Sequence, residues 1–441
     1  MGAKSPNTDF ARRSGAGLEM DWLVKNRDVP GCSAALGAAR LSSPDPHPRN
    51  RPNRGSGLGR RDLLRVVAAF IADHVLPRRG SAKSFQDYSK PRHHAVIVTF
   101  GGGCRYQDTL APEGWPNIPH ITQDLVPQSF LYPAAFNQGI TGHFNSSAAL
   151  ITGNWQYVDS FGSEPPRTPT LFECLRKERK LPPEETWVIA TNKSFSLIGA
   201  SGERQFGAPY SANVILPKQL LLEAIHQAVS AEKGPGVEDR EAFYKQMLSA
   251  LDEGYESYGW KVHPSKHNLD EPLKASLEKA LLDFFNDPRV PSSGDELTFF
   301  MAKEVMARFA PALMLVNFWD IDIAHYGSYS LYLQAIERTD RLVWELWQTV
   351  QASPEFRDRT TMFVIPEVGR DGDVHGNGFA NHRSGDDSCR RVWLLACGEA
   401  APKRAGAERP IRHIDIAPTV GAILGCKLPE AQGQPLLELA I

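Results

Sequence analysis

The sequence predicts a three-layer α/β fold, in which helices cover both faces of a mostly parallel central sheet. Short apolar runs rich in β-branched residues alternate with longer segments of helical periodicity, which is the pattern of parallel strands joined by crossover helices. Ligands of such sheets bind beyond the carboxyl ends of the strands. The residues that follow a predicted strand are therefore the first candidates for a functional site. The predicted strands are 94–100, 186–191, 313–318, 361–365 and 392–398.

Composition is that of a globular chain with a sizeable core. Of the 441 residues, 41% are apolar and 23% are charged. The net charge of −2 argues against nucleic acid as a partner, because no overall basic field is present. The six cysteines include no C-x-x-C pair and predict neither a zinc knuckle nor a disulfide framework, and Cys397 and Cys426 are predicted as core thiols. No apolar run approaches the length of a membrane span.

The N-terminal part divides into two segments. Residues 1–59, rich in Gly, Pro, Ser and Arg without periodicity, are predicted to be a disordered tail. Residues 60–92 open with Arg60-Arg61 and a short apolar run, which resembles a twin-arginine export signal and would make the protein periplasmic. Asp73 and His74 interrupt that run, so an amphipathic helix or linker in a cytoplasmic protein stays the alternative.

The predicted α/β domain comes in two parts, 93–192 and 311–441. Between them, residues 193–310 have a different sequence pattern. Four segments of helical spacing with charged faces are separated by turn-rich loops. We expect a helical insertion that caps the functional edge of the sheet. The four predicted helices are 219–231, 239–258, 272–286 and 295–309.

Acidic residues and histidines follow two of the predicted strands. Carboxylates and imidazoles that converge on one sheet edge are the ligands of a divalent metal site. The residues after strand 313–318 are Asp320, Asp322 and His325, and those after strand 361–365 are Glu367, His375 and His382.

Two further segments lie at the same predicted edge. The first strand runs into Gly101–Gly103, a glycine stop that permits positive φ and close approach of a ligand to the backbone. Residues 139–154 turn from a loop into a short helix that ends at Gly153, with Thr141 and His143 near its N-terminus, where backbone amides attract anions. Among the basic residues, Arg370 and above all Arg383, next to His382, could clamp an anionic substrate.

Five motifs follow one another along the chain: WPNIPHIT, SSAALITG, the D-x-x-H-like strand end before YGSYSLYLQAIERTD, TTMFVIPEVG and RHIDIAPTVGAILG. In this order they resemble the motifs of the alkaline phosphatase/sulfatase superfamily. The resemblance covers about 94–441 without 193–310, and it implies that fold. It also implies hydrolysis of phosphate or sulfate esters, with one or two metal ions beside an activated Ser, Thr or formylglycine nucleophile.

Carried over residue by residue, the resemblance reveals departures. The acid that the family places after the first strand falls on Gly101–Gly103, the nucleophile position falls on His143, and an Asp-His pair falls on Glu367-Val368. The retained set could hold one divalent ion, such as zinc, manganese or calcium, and a polar network without metal is equally open. The retained residues are Asp320 or Asp322, His325, Glu367 and His382.

Two functions therefore stay open at this stage. The first is a metal-dependent hydrolase of an anionic ester, in which Thr141, His143 or an activated water attacks and Arg383 holds the substrate. The second is a catalytically inactive member of the superfamily that serves as a structural or binding subunit with a protein partner. Three departures in one site favour the second function, whereas the fold favours the first.

Overall fold

The computed structural model describes residues 93–220, 293–373 and 376–439. Within these residues nine strands form one sheet, in the order β4-β3-β5-β1-β6-β7-β2-β8, with β9 also paired to β2. The strands are β1 His94–Thr99, β2 Ser129–Phe136, β3 Thr186–Ala190, β4 Asn213–Ile215, β5 Leu313–Asn317, β6 Thr360–Ile365, β7 Arg391–Gly398, β8 Ala405–Gly406 and β9 Ile411–Arg412.

The sheet is mostly parallel. Strands β4, β3, β5, β1 and β6 run in one direction, whereas β7 is antiparallel to both of its neighbours, β6 and β2. The predicted α/β fold class is confirmed.

Helices pack on both faces of this sheet. Alternate residues of β1 point to opposite faces: Val96 and Val98 belong to one hydrophobic core, and Ala95 and Ile97 belong to the other. Helices α3 and α4 contribute to the first core, and α1, α2 and α5 contribute to the second. The helices of the described residues are α1 His143–Thr152, α2 Leu171–Arg179, α3 Gly294–Phe309, α4 Tyr329–Ala352 and α5 Ile416–Ile423. None of these helices has the length and apolarity needed to cross a membrane.

Register aligns the carboxyl ends of the three central strands. Thr99, at the end of β1, pairs with Asn317 of β5 on one side and with Ile365 of β6 on the other. The segments that leave these strands therefore start at the same level and side by side. This alignment brings Gly101–Gly103, the residues after Asn317 and the residues after Ile365 to one place.

The five strands predicted from apolar runs are all present, within one or two residues at each end. Strand β2 escaped prediction because Pro133 interrupts its alternation, and the pairing with β7 is irregular between Tyr132 and Ala135. Within the range predicted as an insertion, 295–309 is helical as expected, but residues 213–215 join the sheet as edge strand β4. The segments 1–59, 60–92, 239–258 and 272–286 lie outside the described residues.

A buried carboxylate anchors the chain that follows β3. Glu173, at the third position of α2, is inaccessible to solvent and forms a capping box with Thr170. Its Oε2 accepts hydrogen bonds from the backbone N–H groups of Thr170 (2.8 Å) and Ser201 (3.0 Å), and its Oε1 accepts one from the N–H of Gly207 (2.6 Å). One side chain thus fixes both the start of α2 and the loop at 201–207.

We expect Glu173→Ala to lower the free energy of unfolding by about 2–4 kcal/mol, because it leaves several buried donors without an acceptor. Urea unfolding followed by circular dichroism measures this loss. Glu178→Ala on the same helix is the matched control, because Glu178 is exposed and accepts one backbone N–H, that of Lys427, where Glu173 accepts three, so a loss below about 1 kcal/mol is expected. Equal losses in the two variants would contradict the anchoring role of Glu173.

Candidate metal centre

Four side chains at the carboxyl edge of the sheet could hold a metal ion. They offer one ligand atom each, and these atoms all lie within 4.8 Å of one another. They come from three places: the first residue of α1, the 3-10 helix Asp320–Tyr326 after β5, and the loop after β6. The four residues are His143, Asp322, His325 and His382.

The spacing of the four ligand atoms suits a small tetrahedral ion. Asp322 Oδ1 lies 3.1 Å from His325 Nε2, 3.2 Å from His143 Nε2 and 3.9 Å from His382 Nε2. The Nε2 atoms of His325 and His382 are 3.0 Å apart. Tetrahedral bonds of about 2.1 Å place ligand atoms about 3.4 Å from each other, which is close to this set of distances.

Outer hydrogen bonds orient two of the three imidazoles. His382 Nδ1 donates to the backbone carbonyl of Thr141 at 2.7 Å, so its Nε2 carries the lone pair. His143 Nδ1 lies 2.7 Å from Glu367 Oε2, to which it donates. An imidazole that donates one N–H to a carbonyl or carboxylate and turns the other nitrogen inward is the usual arrangement of a metal-bound histidine.

The charges of the group compensate one another. Burial lowers the pKa of His143, but the carboxylates of Asp322 and Glu367 outweigh it and raise that pKa to about 10. Burial would raise the pKa of Asp322, yet the charge of His143 and its hydrogen bond hold it well below its ordinary value. For His382, burial and the charge of His143 keep the pKa well below 6.5, so that this ring is neutral. A metal ion would therefore displace the proton on His143 Nε2 and meet a ready lone pair on His382.

Geometry of the 3-10 helix explains which aspartate joins the group. With three residues per turn, positions i and i+3 lie on the same side, so Asp322 and His325 face the same point. Asp320, predicted as an equivalent choice, is engaged elsewhere: its Oδ2 forms an ion pair with Arg338 Nη1 at 2.9 Å and accepts from the N–H of Asp295 at 3.4 Å. The structure thus separates the two aspartates that the sequence left as alternatives.

Arg370 is placed differently from the predicted substrate clamp. Its guanidinium is inaccessible to solvent and donates to Asp322 Oδ1 at 2.8 Å, so it cannot clamp a substrate from solution. It also donates to the carbonyls of Gly103 (2.7 Å), Phe379 (3.1 Å) and Gly102. The Arg370 side chain therefore links Asp322 to the backbone of the loop after β1 and to Phe379.

The other predicted site residues lie around the group rather than in it. Glu367 reaches it through His143, and its Oε1 accepts from Asn317 Nδ2 at 2.5 Å. Thr141 contributes its backbone carbonyl to His382. Arg383 is exposed, with its guanidinium 5.3 Å from the ring centroid of Phe161. His375 lies outside the described residues.

Sequence reasoning missed Asn317 and the burial of Arg370. Asn317 is the last residue of β5, where an amide at the end of an apolar run was a usable signal. Its Nδ2 also donates to Thr99 Oγ1 at 2.6 Å and so links the ends of two strands to Glu367. The burial of Arg370 could not be predicted locally, because two of its carbonyl partners, Gly102 and Gly103, come from the distant segment after β1.

Comparisons with known proteins find similarity among solved structures. No family model matches the chain, and no curated protein matches it. The wild-type alkaline phosphatase PafA is 12% identical, with a TM-score of 0.48 over 81% of this chain and 100% of that chain. The lipoteichoic acid synthase LtaP from Listeria monocytogenes is 12% identical, with a TM-score of 0.47 over 86% of this chain and 82% of that chain.

Another match is described as a protein in the alkaline phosphatase superfamily, from Vibrio parahaemolyticus. It is 13% identical, with a TM-score of 0.46, and covers 85% of this chain and 78% of that chain. Two of these three proteins, PafA and the Vibrio protein, carry the alkaline phosphatase name, and at such identities the likeness is one of fold alone.

We expect Arg370→Met to lower the free energy of unfolding by about 3–5 kcal/mol, because it leaves the buried carboxylate of Asp322 without its permanent cation. Urea unfolding of the metal-free protein measures the effect. Arg383→Met removes an exposed guanidinium nearby in the chain and is expected to cost less than about 1 kcal/mol. An Arg370→Met variant that unfolds at the wild-type midpoint would show that Asp322 needs no such partner.

Proposed function

We propose that this chain is a metal-containing binding or structural protein of the alkaline phosphatase/sulfatase superfamily that holds one divalent ion and does not hydrolyse esters. The observation that carries the proposal is the position of His143. The residue that stands where the superfamily places its nucleophile has its Nε2 3.2 Å from Asp322 Oδ1, inside the candidate metal group. A fourth protein ligand thus stands in the place of an attacking group.

Zinc is the ion that this donor set favours among those predicted. Three imidazole nitrogens and one carboxylate oxygen suit zinc, which commonly binds in four-coordinate tetrahedral sites. Calcium prefers six to eight oxygen ligands, and the four ligand atoms include a single oxygen. Manganese also prefers carboxylate, carbonyl and water oxygens. We therefore narrow the cofactor to zinc or another ion that prefers nitrogen ligands.

The site has the features of a closed, structural metal centre. Catalytic zinc sites keep an open position for water or substrate, whereas structural sites are filled by protein ligands. Here four protein ligands are available, and the side chains of His143, Asp322 and His382 are inaccessible to solvent. Thr141, the predicted hydroxyl nucleophile, serves the site through its backbone carbonyl. Ester hydrolysis would need a vacant position that this arrangement does not provide.

A second candidate, a hydrolase with a metal-activated water, is favoured by two details. The side chain of His325 retains 19% of its exposure, and Asp322 Oδ2 is buried without a hydrogen-bond partner within the described residues. A ligand shell that expanded on this side would admit one water molecule. The two candidates share the metal ion and differ in whether the ion turns over an ester.

Partner and location stay proposals that rest on other observations. An inactive member of an enzyme superfamily would serve by binding a protein partner, and Arg60-Arg61 would send it to the periplasm. Fractionation of cells that express the full chain tests the second point.

The first experiment is elemental analysis of the full chain purified without chelator, together with assays on aryl phosphate and aryl sulfate esters. We expect close to one zinc ion per chain and no ester turnover above the buffer blank. His325→Ala and His382→Ala should each lose the ion. His120→Ala is the matched control and should keep it, because His120 pairs with Asp124 outside the group.

Each other outcome decides against a stated part of the proposal. A chain that holds no ion after exposure to excess zinc and manganese would overturn the metal centre. Turnover that disappears in both the His325→Ala and the His382→Ala variants would overturn the non-hydrolytic function and establish the second candidate. Turnover that survives in both variants would come from a contaminating enzyme. The elemental analysis of the wild-type chain and of the two variants would then decide whether the metal centre exists.

A second prediction concerns the outer carboxylate. We expect Glu367→Gln to weaken zinc binding about 10–100-fold, because the neutral amide no longer strengthens the basicity of His143. Competition with a chromophoric chelator measures the affinity. Asp320→Asn is the matched control, because Asp320 pairs with Arg338 instead, and it should leave the affinity unchanged. Equal weakening in both variants would indicate a general loss of structure.

A further inference from the structure

A different part of the molecule, independent of the metal centre, brings two cysteines together. Helix α2 packs against the C-terminal part of α5 and the residues that follow it, 421–427. One contact lies near each end of α2. A Cβ built on Gly421 would lie 3.6 Å from Leu171 Cδ1, at the start of α2. At the other end of α2, the backbone N–H of Lys427 donates to Glu178 Oε2 at 2.9 Å. The segment 421–427 therefore follows the length of α2.

Cys174 lies between these two contacts on the same face of α2. Positions 171, 174 and 178 follow the i, i+3, i+7 spacing that defines one side of a helix. Leu171 and Glu178 mark that side as the one toward the C-terminal segment. Cys174 is 7% exposed and belongs to the same hydrophobic core as Cys426.

Cys426 is held in place by the way α5 ends. Gly425 has the left-handed φ of +68°, and the N–H of Cys426 donates back to the carbonyl of Gly421 at 2.7 Å, as in a Schellman motif. Both chain neighbours of Cys426 contact the C-terminal end of α2. A Cβ on Gly425 would lie 3.1 Å from Arg179 Nη1, and the N–H of Lys427 donates to Glu178. Its side chain is 4% exposed.

The thiol of Cys426 has both Cys174 and Glu178 as electrostatic neighbours on α2. Burial raises the pKa of the Cys426 thiol, and the charge of Cys174 raises it further. Burial likewise raises the pKa of Cys174. Because both thiols are protonated and shielded once the protein is folded, exchange in the native state is slow, and a bond between them is expected to form while the chain folds.

We propose that Cys174 and Cys426 are a disulfide site that links helix α2 to the C-terminal segment. The oxidant is a disulfide donor, such as oxidised glutathione. The thiolate of one cysteine attacks the donor and releases one thiol, and the second thiolate attacks the mixed disulfide and releases the other thiol. The cysteines are oxidised, the donor is reduced to two thiols, and the two protons lost by the cysteines go to those thiols. Because the linked residues are far apart in sequence, the bond restricts the unfolded chain strongly.

The chain supplies its own controls. All five described cysteines are buried free thiols in the structure, and Cys104, Cys389 and Cys397 serve as controls for Cys174 and Cys426. Cys397 contacts the carbonyl of Met362 in the sheet, and Cys389 contacts Ser384 Oγ in its own loop. The proposal therefore requires that oxidation be confined to Cys174 and Cys426 among these five thiols.

The test is to refold the full chain from urea in a buffer of reduced and oxidised glutathione, block free thiols with a maleimide in denaturant, and identify the peptides by mass. We expect one cross-linked species that joins the peptides of Cys174 and Cys426 and is lighter by two hydrogen atoms than their sum. Cys104, Cys389 and Cys397 should carry the maleimide. The thermal midpoint of the oxidised protein should rise by several degrees and return on reduction.

Two variants and one control variant make the test selective. Cys174→Ala and Cys426→Ala should each leave the remaining partner open to the maleimide and remove the rise in the thermal midpoint, whereas Cys397→Ala should keep both the cross-link and the rise. Complete labelling of Cys174 and Cys426 in the refolded wild-type chain would overturn the proposal. A cross-link from either of them to a different cysteine would overturn it as well.

Discussion

One buried carboxylate, Asp322, is the centre on which the functional end of the molecule depends. A carboxylate at this depth is stable only when cations and donors surround it. Asp322 Oδ1 has them on several sides: the guanidinium of Arg370 at 2.8 Å, the ring of His325 at 3.1 Å and that of His143 at 3.2 Å. Each of these partners arrives on a different segment. The register of β1, β5 and β6 ends these strands at one level and so brings together the segments that carry His325 and Arg370, while His143 comes from the start of α1.

The same arrangement would suit the site with and without a metal ion. Without metal, the imidazolium of His143 lies between Asp322 and Glu367, and Asp322 also faces the guanidinium of Arg370. If an ion bound, His143 would give up its Nε2 proton and could keep the hydrogen bond from Nδ1 to Glu367. Because the four candidate ligand atoms already lie within 4.8 Å of one another, binding would need little rearrangement of the site.

The sequence predicted which strand ends carry the candidate metal ligands, but it could not predict which of these side chains contact one another. Apolar runs that end in acidic residues located the strand ends, and the fold followed from their alternation with helices. Asp322, and not Asp320, faces His325 because residues 320–326 form a 3-10 helix with three residues per turn. The sequence alone does not show that this short segment is a 3-10 helix. The burial of Arg370 depended on carbonyls of Gly102, Gly103 and Phe379, which only the folded chain assembles. Local patterns therefore gave the elements, and long-range contacts decided the roles.

The glycine run after β1 limits which residues this loop can accept. A side chain on Gly101 would collide with the carbonyl of Phe318, and one on Gly102 would collide with the backbone N of Asp322, while Gly102 and Gly103 have positive φ. An acidic side chain at Gly101 or Gly102 would therefore require the backbone of Phe318 or Asp322 to move, and Asp322 is the residue on which the candidate metal group depends. Variation in this loop is thus limited by the main chain of the neighbouring segment as well as by its own conformation.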